Sequence, residues 1–169
     1  MTLSIDSLRQ KLDEILQTDC PSELPTLIGK LQKSHHHSIQ MTANCAIGGS
    51  VDCFQYAFKD QLSSDHFADL VRTREVRKMQ RVLVAALSLG LIELHDNRLE
   101  VDKIVVYFHG RCPKHFGILD GGRILSKWGM FQAYCHGLFE LPTYYGDKVK
   151  YSSGALNVSV LEGAIRAYS

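Results

Sequence analysis

The period of the apolar residues changes once along this chain, near Lys103, and that change limits the fold more than any other feature. Before it, apolar residues recur at helical spacing. Ile5, Leu8, Leu12, Ile15 and Leu16 mark one face of a helix over 4–17. Cys20-Pro21 ends it, Ser22 can cap a second helix faced by Leu24, Leu27, Ile28 and Leu31, and Pro25 is tolerated in its first turn. Two further helices are expected over 66–72 and 75–89, and 91–101 reads as a hairpin around His95-Asp96-Asn97. After Lys103 the pattern is that of strands, over 104–108, 115–119, 123–128, 133–139 and 149–152, with turns at Gly121-Gly122 and Gly146-Asp147. A last helix is expected over 157–168. Helices first and sheet second predict an α+β fold, N-terminal helices packed on a C-terminal antiparallel sheet.

Length and charge narrow the function classes. The chain has 169 residues and a formal net charge of +1, so one domain is expected, with 1–40 as a helical extension and 64–101 as an insertion in the core. The weak charge gives no electrostatic reason to bind nucleic acid or a membrane surface. Helix, helix, hairpin is also the order of a winged helix, but the basic cluster Arg72, Arg74, Arg77, Lys78 and Arg81 reads as a solvated face. His35-His36-His37 reads as a solvated loop. No apolar run spans a bilayer and no secretory signal is visible. Five irregularly spaced cysteines suit a reducing compartment, so a cytoplasmic location is expected.

The chemistry concentrates in two stretches. Gly48, Gly49 and Ser50 supply turn and cap residues before Asp52-Cys53-Phe54-Gln55-Tyr56-Ala57-Phe58, which places Cys53 in the first turn of a helix with an apolar face behind it. Free N–H groups and the positive helix end are expected to stabilise its thiolate, so that iodoacetamide would take Cys53 below pH 8 and ahead of the other thiols. Some sixty residues on, His115 heads an apolar strand. A nucleophile, a base and a group to orient the base make a thiol centre. Cys53 and His115 fill the first two roles, and Ser126 or His136 on later strands is expected to fill the third. Lys127 has no acceptor to offer an imidazolium. Trp128 and Tyr134 are candidates for lining the cleft, and Cys45 is a rival nucleophile without an apolar helix directly behind it. The competing readings are a non-catalytic binding or regulatory protein and a zinc site gathering His109, Cys112 and His115, with Cys135 or His136 completing it. No glycine-rich phosphate loop is present and no organic cofactor is expected.

These elements resemble the NlpC-type branch of the papain-like cysteine peptidases and amidases. Asp52-Cys53-Phe54-Gln55-Tyr56-Ala57-Phe58 is similar to the stretch that opens that family's nucleophile helix. An apolar strand followed by His115-Phe116-Gly117-Ile118 is similar to its strand pair. A poorly characterised bacterial group of the same superfamily is more similar still, with Ser126-Lys127-Trp128-Gly129, His136 and Tyr145-Gly146 in matching order. The resemblance covers roughly residues 50–130. It implies a papain-like fold, thiol hydrolysis of an amide or peptide bond, and substrates such as cell-wall peptides or a protein side chain. Asp52 stands where that group carries Asn.

Overall fold

The computed structural model describes residues 4–17, 21–42, 52–72, 76–128 and 132–168. It is an α+β fold built on one six-stranded antiparallel sheet. The strands are β1 Gln40–Met41, β2 Ile104–His109, β3 Cys112–Asp120, β4 Arg123–Lys127, β5 Ala133–His136 and β6 Lys148–Ser152, in spatial order β1-β5-β4-β3-β2-β6. The helices are α1 Ile5–Leu16, α2 Leu24–Leu31, α3 Cys53–Ala57, α4 Ser64–Arg72, α5 Val76–Ser88 and α6 Val158–Tyr168.

Helices cover both faces of the sheet, and the alternation of β2 shows how. Ile104, Val106 and Phe108 point into a core shared with Phe54 of α3, Val82 of α5 and Leu161 of α6. Val105 and Tyr107 point into a second core shared with Leu8 and Leu12 of α1 and Ile28 of α2. A strand buried on both faces needs an unbroken apolar run, and Ile104-Val105-Val106-Tyr107-Phe108 is that run. The β2–β3 pair sets His115 opposite Tyr107 and Phe116 opposite Val106, so neighbouring β3 residues serve different cores. Gly117, the next residue on the His115 face, must lack a side chain: a Cβ there would stand 2.5 Å from Ile124 Cγ2.

The helices lie close to where the apolar spacing predicts them. α1 is capped by Ser4, whose hydroxyl accepts from Ser7 N, and Pro25 sits in the first turn of α2. Asn157 caps α6. The expected hairpin over 91–101 does not form. The Asp102 carboxylate gathers that segment by accepting from Leu99 N (2.6 Å) and His95 Nε2 (2.9 Å), and its one bridge joins His95 to Tyr151 of β6. Without that hairpin the winged-helix order lapses. Of the basic cluster, Arg81 is exposed, while the side chains of Arg72, Arg74, Arg77 and Lys78 lie outside the described residues.

The triple histidine is not a solvated loop. His36 is exposed, but His35 and His37 are buried. His37 Nε2 donates to the Ile28 carbonyl (3.2 Å) and its Nδ1 accepts from Ile39 N (3.2 Å). His35 lies between the hydroxyls of Ser7 and Ser34. β5 stops at His136, short of 139, because Gly137 and Glu140 turn the chain. The Glu140 carboxylate accepts from Gly137 N and from the backbone and hydroxyl of Ser38. No helix among the described residues is long and apolar enough to cross a membrane.

Candidate functional site

Cys53 is the first residue of α3. The cap is Asp52, whose carboxylate accepts from Gln55 N (2.8 Å) while the Gln55 side chain accepts from Asp52 N (3.1 Å), a full capping box. Gly48, Gly49 and Ser50, like Cys45, lie outside the described residues. Behind the cysteine, Phe54 and Phe58 pack on Phe116 of β3 with ring centroids 5.1 and 6.2 Å away. The thiol is half-buried, and backbone N–H groups of Phe116, Phe54 and Cys53 itself reach its sulfur. Those donors favour a thiolate, as the sequence led us to expect. Burial, and then the Asp52 charge, outweigh them and push the thiol up to about 12. The resting thiol is therefore protonated near neutral pH, and its preferential alkylation below pH 8 is no longer expected.

His115 is fully buried on the other face of β3 from Phe116. Its ring stacks on Tyr145 with centroids 4.0 Å apart and planes 26° apart, and Tyr107 lies 5.8 Å away. Neither ring nitrogen has a hydrogen-bond partner among the described residues, so the thiol of Cys53 and the imidazole are not hydrogen-bonded. Burial, then the neighbouring His136, holds the His115 pKa well below the ordinary histidine value. The imidazole is neutral.

Ser126 and His136 face the same side of the sheet as His115 and bind each other. His136 Nδ1 donates to the Gly137 carbonyl (2.8 Å), which leaves Nε2 as an acceptor for the Ser126 hydroxyl (2.8 Å). Trp128 Nε1 donates to the same Ser126 oxygen (3.1 Å). The relay is closed at both ends, and no hydrogen bond runs from it to His115. Burial lowers the His136 pKa to about 4. Lys127, buried, points to the opposite face by strand alternation. Trp128 and Tyr134 do not line a cleft: both are buried in the core with ring centroids 4.6 Å apart.

Tyr145-Gly146 stands out in the sequence, but what holds it had no signal there. Tyr145 ends a 3₁₀ turn, Thr143–Tyr145, and α1 holds that turn from outside. The buried guanidinium of Arg9 donates to the carbonyls of Leu141 (3.1 Å), Pro142 (3.4 Å) and Gly146. Asp13, one helical turn on, accepts from Thr143 N (2.9 Å) and from the Thr143 hydroxyl. Gly146, at φ 124°, lies against β2 so closely that a Cβ would stand 2.6 Å from the Phe108 carbonyl oxygen. Tyr144 sits exposed at the rim. Burial of its hydroxyl, helped by the Asp13 charge, pushes its pKa up against a hydrogen bond with Tyr145. On apolar spacing α1 reads as a packing helix alone; it also carries this clamp.

The zinc constellation does not assemble. His109 and Cys112 are exposed and paired across the β2–β3 turn, whereas His115 is buried between Tyr107 and Tyr145. Among the described residues no three His, Cys, Asp or Glu side chains gather in a way that could hold a metal ion. The chain matches no family model, no curated protein and no solved structure.

Proposed function

We propose that the chain is a papain-like thiol hydrolase acting on an amide or peptide bond, with Cys53 as nucleophile and His115 as base. The observation that carries the reading is the His115 imidazole, fully buried with neither nitrogen partnered among the described residues, one residue before the Phe116 whose N–H meets the Cys53 thiol. A buried polar group without a partner costs stability and calls for an explanation. A base held free for a substrate-bound state is such an explanation. The thiol and the imidazole both rest neutral, so the proton leaves sulfur as attack begins. Cys53 Sγ bonds to the carbonyl carbon and His115 takes the thiol proton. The tetrahedral oxyanion forms where backbone N–H groups already face the sulfur. Collapse breaks the C–N bond, and His115 returns the proton to the departing amine. Water then adds to the thioester, giving a proton to His115, and the acid leaves as the proton returns to sulfur. The thiol packs with the Phe116 face while the imidazole lies on the other face of β3, so this transfer requires substrate binding to bring the two within reach.

The test is acyl transfer from p-nitrophenyl acetate, followed by peptide mapping. Acetyl is expected on Cys53, followed by turnover, with the step lost in Cys53→Ala and slowed about 100-fold in His115→Gln. Acetylation confined to the exposed Cys112, indifferent to both substitutions, would overturn the reading in favour of a binding protein on this scaffold.

A further inference from the structure

In a thiol centre the imidazole must be held in one plane, and the group that holds it is ordinarily a polar side chain bonded to its second nitrogen. Among the described residues, His115 has no such bond. Ser126 and His136, the polar groups sharing its side of the sheet, are satisfied by each other, by Trp128 and by the Gly137 carbonyl. What touches the ring is aromatic. Tyr145 stacks on one side and Tyr107 lies obliquely nearby.

Stacking fixes a ring only when the ring beneath it is itself fixed, and the Tyr145 turn is fixed from three directions. Arg9 holds carbonyls on both sides of the turn, Asp13 holds its first residue, and Gly146 is pressed to the backbone of Phe108. Tyr107, paired with His115, is tied in turn through its hydroxyl to the Leu138 carbonyl (2.7 Å). We propose that Tyr145 is the positioning residue of His115, supplying by ring stacking what a polar orienter supplies elsewhere, and that Arg9 and Asp13 of α1 act through it by locking its turn. The proposal rests on the thiol-hydrolase reading for its purpose, though not for the clamp itself. Among the described residues, the titratable groups that touch or couple to His115 are Tyr107 from β2, Tyr145 from the turn and His136 from β5, and the Cys53 thiol is not one of them at rest.

Two readouts on one set of variants test it: site-resolved acetylation of Cys53 by p-nitrophenyl acetate, and the NMR spectrum of the labelled His115 ring. Tyr145→Leu and Arg9→Ala are expected to slow Cys53 acetylation about tenfold or more, while the exposed Cys112 reacts as before. Tyr145→Phe keeps the ring and is expected to restore the rate. Asp13→Ala, at a half-buried position, is the milder unlocking if the buried substitutions do not fold. The His115 resonances, shifted by the ring current and sharp in the wild type, are expected to average in Tyr145→Leu and Asp13→Ala and to persist in Tyr145→Phe. If His115→Gln slows acetylation but Tyr145→Leu does not, the positioning role falls and the hydrolase reading stands. If Cys53 is never acetylated, the hydrolase reading falls and the spectrum decides alone: unchanged His115 resonances in Tyr145→Leu and Asp13→Ala overturn the clamp.

Discussion

Asp52 acts on Cys53 in two opposed ways. Its carboxylate closes the capping box that starts α3, and its charge helps raise the thiol to about 12. The two effects separate in Asp52→Asn, since Asn caps as well as Asp but carries no charge. Alkylation of Cys53 by iodoacetamide at pH 8 is expected to speed up in Asp52→Asn with little change in Tm. Asp52→Ala, which loses the cap, is expected to cost about 1 kcal/mol. Rates resolved by peptide mapping check this, with the exposed Cys112 as internal reference. An unchanged Cys53 rate in Asp52→Asn would mean that burial alone sets the thiol. At this scale the sequence was a partial guide. The aromatic run behind Cys53 announced a helix with a cysteine at its start, and the structure bears that out. Whether donors or desolvation win at the sulfur depends on how Phe54, Phe58 and Phe116 close around it, and no local pattern encodes that.

Among the elements, the turn that carries Tyr145 depends most on one residue. Gly146 combines a backbone conformation that L residues rarely adopt with contact to the Phe108 backbone, which cannot yield as a side chain would. Gly146→Ala is expected to destabilise the protein by roughly 2 kcal/mol or more, read as a fall in Tm, because conformational strain and overlap add. A Tm equal to the wild type would show that the turn can leave β2 freely. Gly146-Asp147 was legible as a turn, and β2 was legible because its apolar run is unbroken, while the end of β5 was overrun because Gly137 and Glu140 turn the chain. The 91–101 segment was misread because its apolar residues alternate like a hairpin's while the Asp102 carboxylate organises it. Arg9 was invisible for another reason: it donates to bare carbonyls, and carbonyls have no signature in a sequence.

For the whole molecule, acid is the revealing variable. His37, His115 and His136 are buried and neutral, each with its pKa lowered mainly by desolvation. The unfolded chain takes up these protons below about pH 6.5 and the folded one only at lower pH, so stability is lost as pH falls through that interval. For His136, between 6.5 and about 4, the loss is about 3 kcal/mol. Glu140 adds to it at the acid end. Burial alone would raise its carboxyl, but the Ser38 and Gly137 hydrogen bonds lower it on balance, so its contribution also fades as pH drops through its folded pKa. Chemical denaturation from pH 7 to pH 4 is expected to show a steady decline, shallower in His136→Gln once its lower baseline is allowed for. A flat profile would mean that these histidines are protonated in the fold.

The span of the Arg9 clamp has a consequence in time. The carbonyls it grips lie 132 to 137 positions further along the chain. A ribosome releases α1 long before it makes the loop that α1 must hold, and the sheet between them has to be laid down first. Tyr145 is therefore made only after Arg9, Cys53 and His115. A nascent or truncated chain can carry both Cys53 and His115 and still lack a seated imidazole.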